Sequence, residues 1–241
     1  MIEQGRIWAV VPVKQFAAAK SRLAPVLEAG ERAELAQLML LDVLAALAPC
    51  RDFLAGVVAA TADPRAAELA RQHGAEVVLS AADTGINDAV AGAVNVVDPR
   101  LHDGLMVVPS DIPHATPADF AAAAAVIAMP RSLAIAAAAE DGGTNLFACR
   151  PAGIVSPHFG PRSFERHCRR AAQAGIAAHV LRLPGLALDI DRPRDLRTFL
   201  ALGTRTRTHD YLDRLRVADR LDHHLRAGLG SAGRAIAEVT P

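Results

Sequence analysis

The segment LMVVPSDIPHATPADFAAAAAVI (105–127) decides the fold class, because it contains one complete strand-to-helix unit. Leu105 to Val108 is a short apolar run that reads as a strand. Asp111 follows where the run ends, between Pro109 and Pro113, so its carboxylate is expected at the mouth of the strand. Thr116 is a good N-cap, and Pro117 takes the first helical position of a helix expected over Pro117 to Ile127. Open α/β sheets place their ligands at such strand mouths.

The same alternation extends to both sides. A strand at about Ile7 to Val13 leads through a basic loop to an amphipathic helix from about Ala29 to Leu47. Strands at Gly56 to Ala60 and Glu76 to Leu79 alternate with helices at Ala66 to His73 and Ile86 to Val97. The order βαβαβαβα predicts a doubly wound sheet. After residue 130 the texture changes. Leu133 to Ala138 and Thr144 to Cys149 flank an EDGG turn, the pattern of antiparallel strands, so the sheet is expected to be mixed. A helix at Pro161 to Ala174, a strand at His179 to Leu183 and a helix at Arg194 to Leu202 follow. The tail from Thr208 to Ala227 carries Tyr211, Leu212, Leu215, Val217, Leu221 and Leu225 near helical spacing. That stripe either packs back on the chain or meets its copy in a homodimer. The final SAGRAIAEVTP reads as a frayed end.

Composition limits the function. The 241 residues suit one α/β domain, and the abundant Ala beside 4% aromatics suits helices packed closely on a sheet. Twenty-six basic and 26 acidic residues leave a formal charge of zero, which argues against a broad nucleic-acid or anionic-membrane surface. No apolar stretch reaches the roughly 20 residues a bilayer span needs. The N-terminus lacks the features of a signal peptide, so a cytoplasmic location is expected. Cys50, Cys149 and Cys168 are scattered without CxxC spacing, which indicates neither a disulfide framework nor a thiolate zinc site.

Several clusters could carry chemistry. LALDIDRP (186–193) places Asp189 and Asp191 two apart where an apolar run ends and a Pro follows, so they too are expected at the mouth of a strand. In extended backbone they share one face while Ile190 turns toward the core. With Asp111 they offer three carboxylates to hard divalent cations such as Mg²⁺ when substrate phosphates supply further ligands. Alone, Asp111 also reads as a helix-capping or turn residue, and Asp189 and Asp191 as a turn with Arg192 or Arg194 as partner. The first βα loop brings Lys14, Lys20 and Arg22 together, which suits a polyphosphate, although the segment taken alone reads more simply as a solvated basic loop. In DGGTNLF (141–147) Thr144 follows two glycines, where a small anion or a plain hairpin turn fits. Gly160 and Ser163 stand at a helix start that favours phosphate or carboxylate, or simply caps the helix. Asn87, near Thr84 and Gly85, either meets a base edge or caps its helix. His114 reads as structural, and His223 and His224 as solvated.

Taken in order, VPVKxFxxAKSRLAP, TGINDAV, VPSDIP, DGGTNLF, FGPRSFERH and LDIDRPRDL resemble the 2-phospho-L-lactate guanylyltransferases, the CofC/FbiD family of deazaflavin coenzyme biosynthesis. The resemblance runs from about residue 7 to residue 200. It implies a nucleotidyltransferase fold akin to the molybdenum-cofactor guanylyltransferases, a Rossmann-like three-layer sandwich assigned to residues 1–204; the resemblance does not cover the tail, and 205–241 are expected as a helical extension from their own apolar spacing. By the same resemblance Asp111, Asp189 and Asp191 hold Mg²⁺ and serve catalysis. Thr144, Gly160 and Ser163 hold a small phosphorylated carboxylic acid, Lys14, Lys20 and Arg22 hold the phosphates of GTP, and Asn87 lies near the guanine. The implied reaction joins GMP to 2-phospho-L-lactate, phosphoenolpyruvate or 3-phospho-D-glycerate and releases pyrophosphate. Competing readings are another nucleotidyltransferase, a nucleotide-sugar glycosyltransferase of similar fold, and a non-catalytic nucleotide-binding module.

Overall fold

The computed structural model describes residues 7–97, 103–140 and 142–226. Seven strands form one mixed sheet: β1 (Ile7–Val13), β2 (Leu54–Thr61), β3 (Glu76–Leu79), β4 (Gly104–Val107), β5 (Ser132–Ala137), β6 (Thr144–Arg150) and β7 (Ala178–Val180). Their order across the sheet is β3-β2-β1-β4-β6-β5-β7. β6 pairs antiparallel with both β4 and β5, and the remaining pairs are parallel, so one strand runs against six. The mixed sheet expected from the EDGG turn is therefore present.

Every residue of β1 is buried, and its side chains divide by alternation. Ile7, Ala9, Val11 and Val13 join one apolar cluster, while Trp8 and Val10 join the other. The first cluster holds the apolar faces of α1 (Ala29–Leu47), α2 (Pro64–Gln72), α4 (Pro117–Ile127) and α7 (Pro193–Ala201). The second holds those of α3 (Ile86–Val97) and α5 (Ser163–Gln173). Helices thus cover both faces in three layers. A single-turn helix, α6 (Pro184–Ala187), and a tail helix, α8 (Arg207–Arg214), complete the named helices, followed by α9 over 217–226.

Two details depart from the sequence reading. Asp189 and Asp191 do not follow a strand: α6 stands before them, and Leu188 resumes extended backbone at φ −111° and ψ 108°. Pro184 at the start of this single turn favours the helical geometry there. The tail is two helices, since Arg216 takes a left-handed φ of 53° between α8 and α9. Its stripe packs on its own chain: Tyr211, Leu212, Val217 and Leu221 are buried in the first cluster. Asp42 on α1 accepts bonds from Arg207 N at 3.1 Å and Thr208 N at 2.9 Å, satisfying free amides at the start of α8. Arg220 grips Glu31 with both terminal nitrogens at 2.7 and 3.0 Å. The segment SAGRAIAEVTP lies outside the described residues. No helix among them is long and apolar enough to cross a membrane.

The sheet order creates the site. β1 connects toward β2 on one side and borders β4 on the other, so the loops leaving β1 and β4 diverge at a switch point. The loop after β1 is pinned by Asp63, whose Oδ2 accepts from Phe16 N at 2.8 Å. Its Oδ1 caps α2 by accepting from Arg65 N at 2.8 Å and Ala66 N at 3.2 Å. Asp63→Ala removes the cap and the loop anchor together. We expect a loss of about 1–2 kcal/mol in urea unfolding; an unchanged unfolding free energy would show that neither the cap nor the anchor contributes to stability.

Candidate functional site

Asp111 leaves the end of β4, and Ile190, fully buried, donates its backbone N–H to Asp111 O at 3.1 Å. That bond ties the Asp111 loop to the segment bearing Asp189 and Asp191. The carboxylates flanking Ile190 are thereby turned out of the core toward Asp111. Asp195 secures the other end by accepting from Asp191 N at 2.9 Å and Arg192 N at 2.7 Å at the start of α7. Oxygens of the three carboxylates all lie within 4.8 Å of one another. β6 adds a fourth contribution because it runs against its neighbours, which brings its first residues to the mouth of β4. Asn145 Nδ2 donates to Asp189 Oδ1 at 3.1 Å.

Lys20 completes the cluster from the first loop. Its backbone is left-handed, with φ 55° and ψ 35°. Its ammonium lies 2.7 Å from both Asp111 Oδ2 and Asp191 Oδ1, with the side chain only 9% exposed. Burial disfavours the charged ammonium, but the facing carboxylates outweigh it and raise the Lys20 pKa. Asp191 is half-buried, which disfavours its charge, yet Lys20, with Arg22 and Lys14 beyond it, holds it below the ordinary carboxylate range. Asp189 has no such cation. Burial, then the charge of Asp111, pushes it up to about 6 despite the Asn145 hydrogen bond. Three carboxylates with oxygens within 4.8 Å of one another, facing one ammonium, form a donor set that fits a hard divalent cation.

Beside this cluster opens a cavity of about 360 Å³. Lys14 and Arg22 line it with exposed side chains, and Arg22 Nη1 lies 3.6 Å from Asp191 Oδ2. Thr84, Gly85 and Ile86 line it from the loop entering α3. Lys14, Lys20 and Arg22 therefore reach one cavity, but they are not equivalent: Lys14 and Arg22 are exposed beside its open space, Arg22 within ion-pair reach of Asp191, whereas Lys20 is held between two carboxylates. Asn87 does not line it. Both ends of its amide grip Phe159, accepting from Phe159 N at 2.7 Å and donating to Phe159 O at 3.2 Å.

Thr144 and Asn145 are neighbours on β6 and so point to opposite faces of the sheet. Asn145 serves the carboxylates, whereas Thr144 faces α5. Ser163 Oγ lies 3.0 Å from Thr144 Oγ1, and Thr144 Oγ1 lies 3.1 Å from His167 Nδ1. Ser163 and His167 are one helical turn apart, hence on the same face of α5. Gly160, at φ 125°, precedes that helix in a conformation that side-chain-bearing residues rarely adopt, and a Cβ there would meet nothing within 4 Å. The structure thus brings Thr144 and Ser163 into direct contact, with Gly160 on the adjoining loop. None of the three lines the cavity beside Asp111.

The sequence reading did not single out Asp63, Asn145, Asp195 or His167. Asp63 before Pro64 and Asp195 three residues after Arg192 carry local capping signals that could have been read. Asn145 and His167 carry none, because their roles depend on which strand lies beside which helix.

His167 is fully buried, packed at centroid distances of 4.9 Å from Phe147 and 5.4 Å from Phe159. Burial, followed by the charges of Arg170, Arg166 and His158, pushes its pKa down to about 4. An unfolded His titrates near 6.5. Between these values the unfolded chain binds more protons than the folded one, so stability rises with pH through the window and is lost on acidification. From pH 7 to pH 5 this ring is expected to account for about 1–2 kcal/mol of lost stability. Urea titrations at both pH values should show a smaller loss for His167→Phe than for the parent chain; equal losses would show that the ring is not held neutral.

A family model described as "Guanylyl transferase CofC like" matches residues 7–229. The match runs past residue 200, where the motif resemblance stops, and includes the tail helices. The chain is 39% identical over 189 residues to a phosphoenolpyruvate guanylyltransferase of Sphaerobacter thermophilus, covering 78% of this chain and 89% of that one. It is 35% identical over 192 residues to a 3-phospho-D-glycerate guanylyltransferase of Phenylobacterium zucineum, covering 78% and 86%. It is 33% identical over 208 residues to a 2-phospho-L-lactate guanylyltransferase of Methanothermobacter thermautotrophicus, covering 86% and 90%. In fold it is similar to a Desulfovibrio desulfuricans G20 protein assigned as a nucleotide-diphospho-sugar transferase, with TM-score 0.70 at 16% identity over 91% of this chain and 98% of that one. A CMP-2-keto-3-deoxy-manno-octonic acid synthetase solved with CTP gives TM-score 0.54 at 16% identity over 83% and 98%.

Proposed function

The chain belongs to the CofC-like guanylyl transferase family, and from that premise we propose that it joins GMP from GTP to a small phosphorylated carboxylic acid and releases pyrophosphate. The observation that carries this reading is the cluster of Asp111, Asp189 and Asp191 beside a cavity that Lys14 and Arg22 also line. The acceptor belongs to the group named for the relatives: phosphoenolpyruvate, 3-phospho-D-glycerate or 2-phospho-L-lactate. The product would then enter deazaflavin coenzyme biosynthesis.

The division of labour follows from charge. Lys14 and Arg22 hold the triphosphate in the cavity, and the loop Thr84–Ile86 faces the base and ribose. Asn87 supports the base side indirectly through its grip on Phe159. Asp111, Asp189 and Asp191 would hold Mg²⁺, which when bound supplies charge neutralisation at the α-phosphate and the departing pyrophosphate. Asn145 and Asp195 keep those carboxylates aimed. Thr144, Gly160 and Ser163 hold the acid. A phosphate oxygen of the acceptor, already anionic at neutral pH, attacks the α-phosphorus of GTP. The P–O bond to the β-phosphate breaks, and pyrophosphate leaves with that electron pair. No general base is needed, so positioning and electrostatics supply the rate.

The test is to supply GTP and Mg²⁺ with each of the three acids in turn, following pyrophosphate and the mass of the guanylylated acid. One acid should give both products at far higher kcat/KM than the others. Nucleoside diphosphate in place of pyrophosphate would favour a glycosyltransferase. Tight GTP binding without product under every acid would favour a non-catalytic module.

A further inference from the structure

We propose that His167 is a positioning residue, held as the neutral Nδ1–H tautomer, which makes the Thr144–Ser163 hydroxyl pair a hydrogen-bond donor to the acceptor's anionic group. This inference rests on the placement of the acid at Thr144 and Ser163.

The argument is a count of protons. The backbone N–H of His158 points at His167 Nε2 from 2.7 Å. An N–H can only donate, so Nε2 presents its lone pair and the ring proton sits on Nδ1. Nδ1–H then donates to Thr144 Oγ1 at 3.1 Å. A doubly protonated ring would set two N–H groups against each other at Nε2, and burial keeps the ring neutral. Thr144 Oγ1 and Ser163 Oγ share two hydroxyl protons, and the 3.0 Å contact between them consumes one. If Ser163 donates to Thr144, both Thr144 lone pairs are filled and the Thr144 proton must point elsewhere. If Thr144 donates to Ser163, the Ser163 proton is left over. In either arrangement His167 occupies a Thr144 lone pair and the pair retains one proton for an outside acceptor.

A carboxylate or phosphate of the acid is the partner that one surplus O–H beside Gly160 suits. A reversed ring, with the proton on Nε2, would ask Thr144 to donate inward and would oppose the His158 N–H. His167 also braces the loop itself: it holds His158 while Asn87 holds Phe159, so the chain entering Gly160 is fixed at two consecutive residues. The ring contacts with Phe147 and Phe159 set the plane in which both nitrogens point. A phenylalanine would keep that packing and lose both hydrogen bonds.

The test compares His167→Phe, Thr144→Val and the double variant in steady-state kinetics. Each single variant should raise KM for the acid about tenfold or more, the worth of one hydrogen bond to a charged group. KM for GTP should stay within about twofold, and the double variant should be no worse than the worse single one, because the residues act in one chain. His167→Asn, whose amide can place an N–H near the Nδ1 position, should recover part of the acid KM. Long-range proton–nitrogen correlation spectra of the parent protein should show the proton on Nδ1, which serves even if His167→Phe does not fold. Additive effects, equal changes in both KM values, or an Nε2–H ring would overturn the proposal while leaving the acid placement intact. An unchanged acid KM in Thr144→Val would overturn the placement and the proposal together.

Discussion

Replacing Asp111 by Asn is expected to lower Mg²⁺-dependent turnover by about 10²- to 10³-fold, the size of effect seen when one electrostatic contact to a transition state is removed. The amide is nearly isosteric, so Ile190 N can still bond the backbone carbonyl of residue 111, and the loop keeps its path. What disappears is one negative charge from a set whose oxygens lie within 4.8 Å of each other. The loss should fall on kcat, with GTP affinity in metal-free buffer little changed, since Lys14 and Arg22 remain in the cavity. Turnover across a Mg²⁺ titration, with calorimetric GTP binding as the control, checks this. A near-normal rate at saturating Mg²⁺ would remove Asp111 from the proposed metal-binding set.

Lys20→Met should separate two roles that one ammonium fills. Without metal, Lys20 neutralises Asp111 and Asp191 at 2.7 Å each. Leaving buried charge unpaired costs about 3–5 kcal/mol. Here the carboxylate side chains are 27% and 37% exposed, so solvent screening reduces the expected loss to about 1–2 kcal/mol. A divalent cation would compensate the same carboxylates. In the parent chain that cation has to compete with the ammonium; in the variant it does not. Mg²⁺ should therefore raise the melting temperature of Lys20→Met by more than it raises that of the parent. Turnover should nevertheless fall, by about 10²-fold, if the displaced ammonium otherwise turns to the transferring phosphate. A Mg²⁺ shift no larger in the variant would show that Lys20 and the metal do not share the carboxylates.

Local signals carried much of the architecture. The period of β1, the Thr116 cap with Pro117, and the EDGG turn were readable because each depends on residues within a few positions of one another. Asp111 was readable for the same reason, as an acid at the end of an apolar run. α6 was not. Four residues carry too little periodicity to distinguish a helical turn from the end of a strand, and the apolar LAL segment satisfies either. The left-handed Arg216 that divides the tail is likewise invisible in a continuous stripe of apolar residues, because Arg seldom adopts that backbone.

The candidate site divides along the same line. Asn87 has a residue type equally suited to a base edge, a helix cap or a backbone clamp. Which one it performs depends on Phe159, 72 residues away, being folded against it. Lys20 reads as one of three cations in a basic loop, yet its partners lie 91 and 171 residues along the chain. His167 has nothing around it in sequence to fix a tautomer; Thr144 and the His158 amide do so in space.

The sequence by itself determined the mixed α/β sheet, the three acidic positions and the ordered motifs that place the chain in its family, because these rest on local periodicity and on residue types in series. Only the tertiary structure decided which groups are engaged. It set Lys20 between two carboxylates, gave Asn145 to Asp189, turned Asn87 onto Phe159 and seated the tail on α1. Hydrogen bonds act over about 3 Å, whereas these partners are dozens of residues apart, so their pairing waits on the strand order β3-β2-β1-β4-β6-β5-β7 and on the reversed direction of β6.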